Sequence, residues 1–216
     1  MIIDHDDPEY RRRWSRSGGN KYNGAFYYSK EIVKNIIPNV VTDRNWVTVN
    51  EQGKAFDHSI VFVHNNLHPD HYEWLKKYDD VILVCGVPST VDKVSYIHKA
   101  IYLPLSVDVD YVMRYKVQDK YKDKDAAFFG RKSKSIGYDF GDADIIYGLS
   151  RQKLMQVMAR YRKAYAVGRT AIEAKVLGCE VLPYDPRFPD PDVWVILDNK
   201  DAAALLQKAI DDIDGR

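Results

Sequence analysis

The stretch KAYAVGRTAIEAKVLGCEVLPYD, residues 163 to 185, decides the fold. It reads as an apolar strand-like run (163 to 168), a glycine-arginine turn, a helical segment ending at Gly178, and a second apolar run (179 to 184). A strand, a short helix and a strand in that order form a crossover unit whose strands lie parallel. Gly178 suits the left-handed cap that closes such a helix. Thr170 followed three residues later by Glu173 matches a capping box, in which the threonine oxygen accepts from the third helical amide and the glutamate reaches back to the cap amide. Glu173 is equally open to a role holding a ligand, and these residues alone do not choose between the two.

The same alternation runs outward along the chain. Apolar runs recur at 46–49 (WVTV), 60–64 (IVFVH), 81–87 (VILVCGV), 100–105 (AIYLPL), 126–130 (AAFFG) and 144–149 (DIIYGL). Segments of helical period lie among them. HPDHYEWLKKYDD has Pro69 in its first turn and turns Tyr72, Leu75 and Trp74 toward a sheet. SRQKLMQVMARYR has Ser150 as cap and Leu154, Val157, Met158 and Tyr161 on one face. DAAALLQKAIDDID is expected to bury Leu205, Leu206, Ala209, Ile210 and Ile213. The pattern predicts an α/β protein with mostly parallel strands. The charged run 115–126, YKVQDKYKDKDA, reads as a linker, dividing the chain into Rossmann-like domains over 1–118 and 119–216 that face a cleft. Ligands of open α/β sheets bind at the carboxyl ends of the strands.

Composition narrows the function classes. Thirty-two basic against 31 acidic residues in 216 leave a net charge of +1, so no global field draws the chain to nucleic acid or to an anionic membrane. The two cysteines, Cys85 and Cys179, sit in apolar runs and read as reduced, buried thiols rather than a disulfide framework. No apolar run approaches the ~18 to 20 residues that span a bilayer, and the amino terminus lacks the apolar stretch of a secretion signal. A cytoplasmic protein without a transmembrane segment is expected. Sixteen tyrosines, many beside charged residues, leave the oligomeric state open, with a homodimer among the options.

Several residue sets could carry chemistry. AAFFGRKSKS places Gly130, Arg131, Lys132 and Lys134 directly after a strand, where cations can neutralise a diphosphate. Gly168, Arg169 and Thr170 open the next helix, whose amides and dipole favour a phosphate. FVHNNLHPDHY offers His64 at a strand end, then His68, Asp70 and His71. The histidine spacing lacks a cysteine or firm fourth ligand, so no metal site is expected. YRRRWSR (10–16) is a cationic cluster that includes Arg12, and SGGNKYNGAF (17–26) is a glycine-rich loop that includes Gly19. The cationic cluster could contact a phosphate-bearing acceptor.

GRTAIEAKVLGCEVLPYD, preceded by FFGR and the amphipathic SRQKLMQVMARYR, resembles the donor-binding half of GT-B-fold glycosyltransferases. WLKKYDDVILVCGVPSTVDKV followed by AIYLPLSVDVDYV is similar to the end of the acceptor domain in that family. The resemblance covers residues 59 to 214. It implies transfer of a sugar from a nucleoside diphosphate sugar, a UDP-sugar in first place, with no obligatory metal and no other cofactor. Glu173 would accept from the ribose hydroxyls. Arg131 with Lys132 or Lys134 would meet the diphosphate, and the Gly168, Arg169 and Thr170 segment would lie near phosphate or sugar. An inverting reaction needs a base to take the acceptor proton. His64 is the expected base, with Asp70 behind it, and Gly19, Arg12 and His68 are the acceptor-side or phosphate contacts. The acceptor itself, glycan, protein or nucleic acid, stays open. Eight positions before Glu173, where retaining members carry a first glutamate, this chain has Tyr165. The rival readings are a non-catalytic α/β protein that binds a nucleotide or a partner, and a sugar transferase acting on nucleic acid.

Overall fold

The computed structural model describes residues 35–48, 57–63, 69–131, 135–186 and 188–215. All eight apolar runs of the sequence form strands, arranged in two parallel four-stranded sheets of Rossmann-like α/β architecture. The described chain divides into two compact units, one holding residues 35–104 with 200–215 and the other residues 105–199. The expected boundary at 118/119 is replaced by a division at 104/105. The charged run 115–126 belongs to the second unit, where it forms a 3-10 turn over Asp119–Tyr121 and enters a strand. Lys122 is buried there, its amine donating to the Gly178 carbonyl at 2.6 Å.

In the first unit β1 (Asn45–Thr48), β2 (Ser59–Val63), β3 (Val81–Cys85) and β4 (Lys99–Tyr102) lie in sequence order across the sheet. SIVFV and VILVC are continuous apolar runs because both faces of the central strands are covered, as in parallel sheets generally. One face packs Val61, Val63, Leu83 and Cys85 against Trp74 and Leu75 of α1 (Pro69–Leu75) and Val94 of α2 (Pro88–Val94).

The residues just before β1, β2 and β3 form a polar knot. Arg44 is 6% exposed. Its guanidinium donates to Asp214 Oδ1 at 2.6 Å, to Asp80 Oδ1 at 3.0 Å and to the Asp80 carbonyl at 2.9 Å. His58 Nδ1 lies 2.5 Å from Asp80 Oδ2, and its Nε2 lies 3.4 Å from Asp43. His58 and Asp80 both have positive φ, at 56° and 51°. Asp214 belongs to the last helix, α6 (Asn199–Asp214), so the knot ties that helix to the strand starts. Gln207 adds two bonds to the Val41 backbone, at 2.6 and 3.1 Å.

The second unit contains α3 (Val109–Met113), β5 (Lys124–Phe129), β6 (Asp144–Ile146), α4 (Arg151–Met158), β7 (Tyr161–Tyr165), α5 (Arg169–Val176) and β8 (Glu180–Leu182). The strand order is β6-β5-β7-β8. Ser150 caps α4 as expected, accepting from the Lys153 amide at 3.4 Å. Tyr161, expected on the α4 face, is instead the first residue of β7, because the helix ends at Met158. Gly178 closes α5 with φ 79°, and a Schellman pair runs from Cys179 N to the Ala174 carbonyl and from Gly178 N to the Lys175 carbonyl, each 2.9 Å. Asp108 caps α3, accepting from the Tyr111 amide at 2.8 Å. No helix among the described residues is long and apolar enough to cross a membrane.

Candidate functional site

The order β6-β5-β7-β8 creates a switch point in the second sheet. From β5 the chain leads toward β6 on one side, and from β7 it leads toward β8 on the other. Two loops that part in opposite directions leave a crevice beyond the carboxyl ends of β5 and β7, the usual ligand position in open α/β sheets. Gly130 and Arg131 follow β5, and Gly168, Arg169 and Thr170 follow β7, so these residues share the carboxyl-end edge of two neighbouring parallel strands.

Each residue there has a definite environment. Gly130 has a packing reason for being glycine: a Cβ would lie 2.6 Å from the Phe128 ring, and its amide already donates to the Ile146 carbonyl at 3.3 Å. Arg131 is exposed overall, while the protein around it lowers its pKa by desolvation; an arginine stays charged through such a shift. Gly168 has φ 64° and ψ −140°, a region that essentially only glycine occupies, and its carbonyl accepts from the Ala171 and Ile172 amides at 3.0 and 3.2 Å.

That geometry overturns the capping box. Gly168, not Thr170, is the cap of α5, no side chain bonds to the cap, and Thr170 is the second helical residue. Glu173 consequently does not reach back to a cap amide. It is 4% exposed and pairs with two arginines instead: Arg169 Nη2 lies 3.3 Å and Arg151 Nε 3.2 Å from its Oε1. The nearest approach of each guanidinium is to the same oxygen. A carboxylate has acceptor sites on both oxygens, so Oε2 keeps its capacity for another donor.

Both arginines stand at the first residue of a helix, Arg151 in α4 and Arg169 in α5. A cation at that end opposes the helix dipole by ~0.3 to 1 kcal/mol, so helix stability alone would not select them. The guanidinium carbon of Arg151 lies 4.9 Å above the Tyr111 ring centroid. Tyr111 in turn meets Tyr115 edge-on at 5.4 Å, with the hydroxyls 3.4 Å apart. Burial, helped by the Tyr115 contact, pushes the Tyr111 phenol up to about 12. Sequence reasoning missed Arg151 and Tyr111, treating α4 as packing only. The signal was present: a cation directly after the Ser150 cap breaks the local charge rule.

No known protein family, curated protein or solved structure matches this chain.

Of the remaining expected site residues, Arg12, Gly19, His64, His68, Lys132 and Lys134 lie outside the described residues. Asp70 is described only in its backbone, in the first turn of α1. Tyr165, where the resemblance would place a glutamate, ends β7 and packs against Phe140 at 5.2 Å. Both thiols are buried and free. Burial pushes Cys85 up to about 12 and raises Cys179, so neither is poised as a nucleophile. Among the described residues no group of three or more His, Cys, Asp or Glu side chains could hold a metal ion.

Proposed function

We propose that the second unit binds a nucleoside diphosphate sugar, a UDP-sugar in first place, and that the protein is a metal-independent glycosyltransferase of GT-B type. The observation that carries the reading is Glu173: a buried carboxylate beside the switch-point crevice, with the nearest approach of each guanidinium at Oε1. A carboxylate so placed suits the vicinal hydroxyls of a ribose, because Oε2 accepts from them while the arginines offset the cost of burying the charge. The amides opening α5 and the cation of Arg131 suit the diphosphate, whose leaving-group charge they would stabilise. His64, which directly follows the last residue of β2, remains the proposed base, with Asp70 second.

Calorimetric titration of wild type and Glu173→Gln with UDP, GDP, ADP and their sugar conjugates tests this reading. One nucleotide family should bind wild type selectively and bind the variant about tenfold or more weakly, a loss of ~1.4 kcal/mol. Absence of binding by every nucleotide would sink the proposal.

Tyr165 favours a second reading, a binding protein without turnover. A phenol packed edge-on against Phe140 offers no carboxylate where retaining enzymes carry one. Donor turnover separates the two: an enzyme hydrolyses or transfers its donor and loses that activity on His64→Ala, whereas a binder does neither.

A further inference from the structure

A carboxylate that presents one oxygen to a ligand must have the other fixed. Arg169 contacts Oε1 of Glu173 from its own helix, four residues away. Arg151 closes on the same oxygen from α4 and is the contact that α5 does not itself supply. As the first residue of α4, Arg151 gains nothing from the helix dipole. The Tyr111 ring lies directly beneath its guanidinium. A ring face within about 6 Å attracts a cation most strongly where water is partly excluded. Tyr111 is well placed to act as a fixed surface. Its helix is pinned by Asp108 at the Tyr111 amide, 2.8 Å, and by Asp198 at the Val109 amide, 3.1 Å, while Tyr115 braces the ring from its edge.

We propose that Tyr111 is a positioning residue: its ring face holds the Arg151 guanidinium on Oε1 of Glu173, so that Oε2 is the oxygen that meets a ligand's vicinal hydroxyls. The inference rests on the reading of Glu173 as a hydroxyl acceptor and adds what aligns it. The ring does this work and the phenol hydroxyl does not, which separates Tyr111→Phe from Tyr111→Leu.

The test is the calorimetric preference for a ribose diol, measured with UDP against 2′,3′-dideoxy-UDP and with the corresponding GDP and ADP pairs. Wild type and Tyr111→Phe should both prefer the diol by about tenfold. Tyr111→Leu should bring the preference to within about threefold, leaving the affinity for the dideoxy ligand unchanged. Arg151→Met removes the held group itself and should give the same collapse, so the proposal stays open to refutation if Tyr111→Leu does not fold. Retention of the full preference in either folded variant would overturn the positioning role while leaving Glu173 as the acceptor. Wild type binding both ligands of a pair equally, or neither, would overturn the reading of Glu173 and this inference with it.

Discussion

At the scale of single residues, the T-x-x-E pattern at Thr170 and Glu173 matched a helix cap and the structure uses it otherwise. The cap passed to Gly168 because its φ of 64° with ψ of −140° starts the helix two residues earlier than a threonine cap at 170 would. Backbone preference decided against side-chain pattern, and Glu173 was left to the arginines. Gly168→Ala should cost about 1–3 kcal/mol of unfolding free energy from backbone strain alone. Steric overlap adds little, since a Cβ there would meet only Leu105 at 3.7 Å. Denaturant melts would check this, and a loss under ~0.5 kcal/mol would show that α5 can start elsewhere. Gly178, the other end of the same helix, was readable because a Schellman cap depends on local backbone chemistry only. The Arg151 and Tyr111 contact was unreadable, because it joins residues 40 positions apart in the chain.

At the scale of elements, the central strands β2 and β3 were the most legible because strands covered on both faces demand near-continuous apolar runs. Helices were legible in proportion to length. Helix α2 has seven residues and α3 has five, too few for a period to show. In α6 the expected buried stripe shifts: Ala202, Ala203, Leu206 and Ile210 are buried, while Leu205 is 48% exposed. Adjacent residues lie about 100° apart on a helix, and at 205/206 it is Leu206 that faces inward while Leu205 falls outside the buried stripe. Leu206→Ala should therefore cost ~2 to 5 kcal/mol and Leu205→Ala no more than ~0.5. Equal losses in melting experiments would contradict the assigned face.

The knot between α6 and the strand starts carries a pH prediction. Asp80 holds the His58 imidazole above its ordinary value, and His58 with Arg44 holds the Asp80 carboxyl below its own. The raised histidine contributes stability that is complete below about pH 6.5 and fades as pH rises through its folded value. The facing groups are Asp80, Asp43 and the opposing cation of Arg44. His58→Asn, chosen because asparagine tolerates positive φ, should lower stability most near pH 6 and progressively less toward pH 8. A deficit that is the same at both values would show that the imidazolium is not what counts. Arg44→Ala should cost more than His58→Asn at every pH, because it leaves Asp214 in a mostly buried place without its cation.

At the scale of the whole molecule, alternation of apolar runs and helical segments was enough to give two α/β halves and eight strands. It was not enough to place the division between them. A charged run looks like a linker from composition, yet Lys122 is buried through one bond to a carbonyl, and the final helix returns to the first unit through Arg44 and Asp214. Both facts depend on contacts distant in sequence. The switch point in the second sheet has the same character: it follows from strand order, which no periodicity reveals, and it turns two separate glycine-arginine pairs into one candidate site.

Hydrogen exchange of the wild-type protein with and without a UDP-sugar locates the nucleotide site. Exchange should slow in the second unit at the carboxyl ends of β5 and β7 and through the first turns of α5, residues 129–131 and 166–173. Protection that is absent there, or confined to other segments while the ligand demonstrably binds, would contradict the assignment of this crevice as the nucleotide site.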